Sequence, residues 1–140
     1  MRNPLPMPAR VAGMTLIEIL AVIVLIGIVM AVVAQQVFQR VETGKFNAAK
    51  AQLQSLSMKI EAYALDNGRP PQRLEDLVQR PGDARNWNGP YARESDLRDP
   101  WGNAFVYRVP GERGPFDLIS LGADGRPGGE GNARDLGNWE

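Results

Sequence analysis

The sequence predicts an α+β protein in which one long N-terminal helix is packed on a small antiparallel β-sheet closed by a glycine-rich C-terminal loop. Three observations predict it. Residues 14–34 form an apolar run holding a single charge, apolar positions beyond it recur at spacings of three and four, and two short β-prone runs precede nineteen residues containing six glycines.

The first element is the apolar run. From Ile19 to Ala34 there is no polar side chain, and the twenty-one residues from Met14 to Ala34 make about 31 Å of helix, enough to span hydrocarbon. Residues 1–13 hold Arg2 and Arg10 and no acid, a bias that keeps the start cytoplasmic and sends the remainder outward. Glu18 is the lone charge. An ionised carboxylate near a membrane core is costly, so it either snorkels to the interface or serves a partner, and a lone one points to a partner outside its own helix.

A secretory signal places its small residues after the apolar core, whereas here Ala12 and Gly13 precede it. A cut after Gly13 would remove a basic leader, residues 1–13, and leave the span of residues 14–35 attached to a domain of residues 36–140. It would also create an amine on Met14, which a staggered neighbouring helix could bring to Glu18, where low dielectric strengthens the pair.

The stretch G-M-T-L-I-E followed by an apolar run resembles the prepilin leaders of the type IV pilin class. That resemblance implies a prepilin peptidase that cleaves after Gly13 and methylates the amino group of Met14, with Glu18 required for assembly. Met14 stands where the family usually has phenylalanine, and Gln35 and Gln36 stand where family helices often carry a proline.

Beyond the span, about 105 residues remain, enough for one small domain. Removing Arg2 and Arg10 from the 16 basic residues, and Glu18 from the 16 acidic ones, leaves 14 against 15, so no basic footprint argues for nucleic acid. The absence of Cys excludes disulfides and thiolate metal sites, and the absence of His removes the commonest general base and zinc ligand.

Phe46, Ala49, Leu53, Leu56, Ile60 and Tyr63 define the apolar face of an amphipathic helix whose other face carries Lys45, Lys50, Lys59 and Glu61. Read as continuous from Met14 to Leu65, this helix is ~78 Å long, half span and half scaffold. Gly44 is a point of local fraying, at about 1 kcal/mol relative to Ala. Asp66, Asn67 and Gly68 stop the helix and Pro70 and Pro71 prevent its continuation.

Leu74 to Val78 reads as a short helix, and residues 80–103 as mostly loop, pinned by Trp87, Tyr91 and Trp101. Residues 105–109 and 116–121 pair as a hairpin across the Pro110-to-Pro115 turn. The last nineteen residues hold too few apolar groups to bury a strand of their own, so something else must order them.

The segments DPWGNAFVYRVPGERGPFDLISLGADG and DLGNW, together with YALDNGRPP after the helix, resemble the major pseudopilin of bacterial type II secretion systems. With the leader, the similarity covers most of the chain and implies a pilin-like fold. It further implies a homopolymer that forms a short periplasmic fibre, with minor pseudopilins, an inner-membrane assembly platform and its cytoplasmic ATPase as partners. The chain itself would be a single-pass inner-membrane protein with its C-terminal domain in the periplasm.

In that family the closing loop binds calcium. The ligands implied here are Asp124, Asp135 and the backbone carbonyl of Leu121, with Gly128, Glu130 and Asn132 as further donors, since Arg134 stands where some relatives have an additional acidic or polar residue. Independently of the resemblance, oxygen donors on a glycine-rich turn suit Ca²⁺, which takes them at about 2.3 to 2.6 Å. The loop is not an EF-hand, because Arg126 and Gly128 occupy positions that would need Asp or Asn, and a β-turn at Asp124 and Gly125 is the alternative.

Nucleotide and catalytic signatures fail. Gly44-Lys45 lacks the upstream glycine and following hydroxyl residue of a phosphate loop, and Gly129-x-Gly131 lacks the third glycine of a dinucleotide fingerprint. Glu75 with Asp76 and Glu94 with Asp96 read as solvated charges, so no enzyme is expected. Two other readings compete: a subunit of a type IV pilus or DNA-uptake pseudopilus, which commonly carries a disulfide-closed loop, and a membrane-anchored calcium-binding module that never polymerises.

Overall fold

The computed structural model describes residues 13–140, so the leader expected over residues 1–13 lies, except for Gly13, outside the described residues. The chain divides into two compact units after Gln39. A single helix, α1, runs Leu16–Asn67 through the boundary without a break at Gly44. The single-glycine penalty there is small beside the hydrogen bonds of a 52-residue helix.

In the first unit, the side chains of α1 are exposed on every face, including Leu20, Ile23, Leu25 and Val29. Among the described residues this helix alone is long and apolar enough to cross a membrane.

The second unit, Arg40–Glu140, is built on the remainder of α1. Ala49, Leu53, Leu56, Ile60 and Tyr63 are buried, the stripe that the periodicity predicts, with Phe46 packed at its edge. The helix stops where the turn residues stand: Gly68 has φ of 78° and its N–H donates to the Ala64 carbonyl at 2.7 Å, while Asn67 Nδ2 donates to the Tyr63 carbonyl. The short helix expected over residues 74–78 is one 3₁₀ turn, Leu74–Leu77, and a second, Glu94–Leu97, interrupts what reads as loop.

The aromatic pins are in place. Trp87 Nε1 donates to the Asp76 carbonyl at 3.0 Å, the Tyr91 hydroxyl donates to Asp66 Oδ2 at 2.5 Å, and the Tyr91 ring stands edge-on to both Tyr63 and Trp87. The Leu77 carbonyl accepts from the N–H groups of both Tyr91 and Ala92. Lys59 holds Asp96 at 2.6 Å, and that hydrogen bond keeps the Asp96 carboxyl below its usual range.

The sheet is antiparallel with strands in the order β1 (Val106–Arg108), β2 (Asp117–Ser120) and β3 (Leu136–Gly137). The predicted hairpin is β1 and β2, with Tyr107 opposite Leu118. The third strand corrects the expectation that the closing segment builds none. Ile119 pairs with Gly137 and Ser120 with Leu136, and Leu136 is fully buried. A two-residue strand needs only one apolar side chain when its backbone pairs with a strand already in the core.

Leu56 and Leu118 are both almost fully buried in this core. Leu56→Ala is expected to cost about 2 to 5 kcal/mol, by lost burial and by the cavity left behind. A thermal melt of the purified chain checks it, and Met58→Ala, exposed on the opposite face of α1, should melt close to the wild type.

Candidate functional site

Two places carry the residues singled out by the sequence: the start of α1 and the loop between β2 and β3.

At the start of α1, Gly13 and Met14 precede the helix and are exposed. Thr15 is the residue before the first helical position, and Glu18 is the third residue within the helix. Their bonds are reciprocal: Glu18 Oε2 accepts the Thr15 N–H at 3.0 Å and its hydroxyl at 3.2 Å, while Thr15 Oγ1 accepts the Glu18 N–H at 3.3 Å. This is a capping box, in which two otherwise orphaned helix N–H groups are satisfied by side chains. Within one chain, Glu18 thus has a partner on its own helix end, and its negative charge also lies at the positive end of the helix dipole. The T-x-x-E spacing is the signal for this role, and attention to the carboxylate as a lone membrane charge passes over it.

The β2–β3 loop spans residues 121–135, and glycines at 122, 125, 128, 129 and 131 all take positive φ. At Gly129 this is compulsory twice over, since a Cβ would also stand 2.3 Å from the Ala133 carbonyl oxygen. The loop is cross-tied by the Ala123 N–H donating to the Asn132 carbonyl at 3.1 Å.

Asp124 is exposed, and its Oδ1 accepts the Arg126 N–H at 3.1 Å, the turn that its alternative reading describes. Asp135 reaches across the loop, its Oδ2 accepting the Gly128 N–H at 3.0 Å. Its Oδ1 is buried with no hydrogen-bond partner. Leu121 follows β2 directly, while Glu130 precedes and Asn132 lies within a 3₁₀ turn, Gly131–Ala133. Among the described residues, no three His, Cys, Asp or Glu side chains gather as a ready metal cluster.

The donor set nevertheless fits a hard cation. A buried carboxylate oxygen without a donor is uncommon and costly, and here it lies in a loop whose other oxygen donors are the Asp124 and Glu130 carboxylates, the Asn132 amide and backbone carbonyls. Arg134 does not oppose this fit. Its Nη1 pairs with Glu140 at 3.0 Å and its guanidinium lies 5.0 Å from the centre of the Phe46 ring, so its charge is engaged outside the loop. Nearby, Trp101 Nε1 donates to Glu42 Oε2 at 2.9 Å, a bond that holds Glu42 below its ordinary pKa.

A helix with an exposed apolar half and an amphipathic half laid on a three-stranded sheet, entered through a prepilin-type start, defines a pilin-like subunit. Residues 36–139 match the family described as type II secretion system protein G, and residues 8–34 match the prokaryotic N-terminal methylation motif. The chain belongs to the type II secretion system protein G family.

It is 51% identical to the type II secretion system core protein G of Xanthomonas campestris pv. campestris, over 94% of this chain and 92% of that protein. Against the protein of the same name from Pseudomonas aeruginosa it is 43% identical, over 92% and 95% respectively. Among solved structures, the major pseudopilin from the type 2 secretion system of enterohaemorrhagic Escherichia coli superposes with a TM-score of 0.60. That match has 31% identity and covers 73% of this chain and 92% of the other.

Proposed function

We propose that this chain is the repeating structural subunit of a type II secretion pseudopilus, polymerising from the inner membrane to drive export of folded proteins across the outer membrane. The observation that carries the reading is the joint match of residues 36–139 to protein G and of residues 8–34 to the methylation motif. Residues 14–35 anchor the subunit in the inner membrane and residues 36–140 lie in the periplasm. Export work then comes from assembly, with minor pseudopilins, an inner-membrane platform and its ATPase as the partners that drive it.

In this reading the chain performs two tasks. The start of α1 supplies the assembly contact: after cleavage between Gly13 and Met14, the new amine of one subunit meets the Glu18 carboxylate of the next. Bringing Glu18 to a neighbour exchanges its hydrogen bonds from the neutral Thr15 donors for an ion pair with an ammonium group, favoured where water is excluded. The loop supplies the ordered edge of the head. Asp124, Asp135 and the Leu121 carbonyl would hold calcium there, with Gly128, Glu130 or Asn132 contributing further oxygens. A bound cation neutralises the carboxylates and ties residues 121–135 into one conformation.

The processing step gives the direct test. Intact-mass analysis of protein extracted from membranes should show loss of residues 1–13 and one added methyl group, leaving 127 residues. A full-length chain, or a cut near Ala34, removes the basis for the Met14 amine. Deleting the subunit should strand exported proteins in the periplasm, and unchanged export overturns the secretion role.

A further inference from the structure

We infer that Asp99 is a positioning residue for the calcium loop, acting through Ser120 and Asn103 to set the backbone at Gly122 before the cation arrives. This deepens the calcium reading above and rests on it. Asp99 lies in the D-P-W-G-N stretch, is only 5% exposed, and binds three neutral donors. Its Oδ1 accepts the N–H groups of Trp101 at 3.1 Å and Asn103 at 2.8 Å, and its Oδ2 accepts the Ser120 hydroxyl at 2.9 Å.

Both relays converge on one residue of the loop. Ser120 Oγ, with Ser120 fully buried, accepts the Gly122 N–H at 3.4 Å, and Asn103 Nδ2 donates to the Gly122 carbonyl at 3.1 Å. The Gly122 N–H is therefore tied to a hydroxyl that Asp99 holds, and its carbonyl to the side chain of a residue whose backbone N–H Asp99 holds. Asn103 also lies against Gly125, since a Cβ there would stand 3.0 Å from Asn103 Oδ1. The fixed residue sits between Leu121 and Asp124, two of the ligands proposed for the cation.

The energetic reason is the cost of ordering. A loop with five glycines at positive φ has wide freedom when unfolded, so cation binding must offset a large conformational entropy unless part of the loop is already set. Orienting groups behind metal ligands are worth about 10- to 100-fold in affinity. Asp99→Asn keeps the size of the side chain but replaces an acceptor oxygen with an NH₂ facing Ser120. The hydroxyl is then drawn away from Gly122.

The test is calcium titration by calorimetry of the full chain in detergent, with melts in EDTA and in calcium recorded alongside. Asp99→Asn should raise the calcium dissociation constant about tenfold or more. Asp117→Asn is the control. Asp117 is equally buried, but its carboxylate caps the hairpin N–H groups of Glu112 and Arg113, so the variant should melt earlier without moving the calcium midpoint.

Wild type that shows no calcium response, in a correctly processed and assembling chain, refutes the calcium reading and this inference with it. Wild type that responds, loses the response with Asp124→Ala, and keeps its midpoint with Asp99→Asn refutes this inference alone. Should Asp99→Asn fail to fold, Ser120→Ala and Asn103→Ala carry the test, each removing one relay. Unchanged midpoints in both overturn the inference, and weakened binding in either supports it.

Discussion

Glu18→Leu should insert into the membrane at least as well as the wild type and fail to assemble. Removing an acidic side chain from an apolar helix lowers the insertion cost, by up to ~3 kcal/mol for a site at the bilayer centre and less near the helix end. If Glu18 pairs with a neighbour's Met14 amine, the same change would leave that amine without its counter-charge in low dielectric, which is the expensive half of breaking an ion pair. Cross-linked multimers in membranes should fall at least tenfold.

The capping box gives this experiment its control. Glu18→Gln retains an acceptor and a donor at the third helical position, so Thr15 can still be capped, but the charge is gone. If the carboxylate acts only as a cap, Glu18→Gln assembles normally. If it pairs with an amine across subunits, Glu18→Gln fails nearly as badly as Glu18→Leu. Normal multimers with both variants would refute the charge pair.

Calcium should raise the melting temperature of the full chain in detergent by on the order of 10 °C, and Asp135→Ala should abolish the rise. At one hundred times its dissociation constant, a ligand that binds only the folded state contributes about 2.7 kcal/mol. For a head of this size, each kilocalorie moves the midpoint by about 4 to 8 °C. Asp135→Ala is the sharper variant because it removes the buried, unpartnered Oδ1 together with the Oδ2 that holds Gly128. In EDTA, protease should open residues 121–135 first, since those residues bury almost no apolar side chain. Magnesium, which demands a tighter octahedron, should substitute poorly. Identical melts in EDTA, CaCl₂ and MgCl₂ would leave Asp124 and Asp135 as turn residues.

Much of the architecture is legible in the sequence because it rests on long, uniform periodicities. The stripe from Ala49 to Tyr63 repeats the helical period often enough to identify both the element and its buried face, and Gly68, Pro70 and Pro71 mark its end. The hairpin is legible within a residue or two for the same reason at period two. Leu136 is different. Its burial comes from pairing with Ser120, and no local pattern in a glycine-rich segment reports a partner sixteen residues upstream. Asp99 is hidden in a similar way: D-P-W-G-N reads as a turn, and only the packed chain shows the carboxylate buried against Ser120. Thr15 and Glu18 are the opposite case, a readable spacing whose membrane setting draws attention to the charge and away from the cap.

The position of β3 also sets the order in which the head can be finished. Until residues 136 and 137 have been synthesised and delivered, β2 has an unpaired edge and the core lacks a fully buried leucine. Asn138 then fastens the closure, its side-chain oxygen accepting the Leu118 N–H at 3.1 Å while its own N–H donates to the Leu118 carbonyl at 3.0 Å. An interrupted chain therefore presents a two-stranded, unclosed head, however well its membrane helix is made. A chain cut before Leu136 should therefore be nicked by proteases more readily than the whole one, through the sheet edge that β3 otherwise covers.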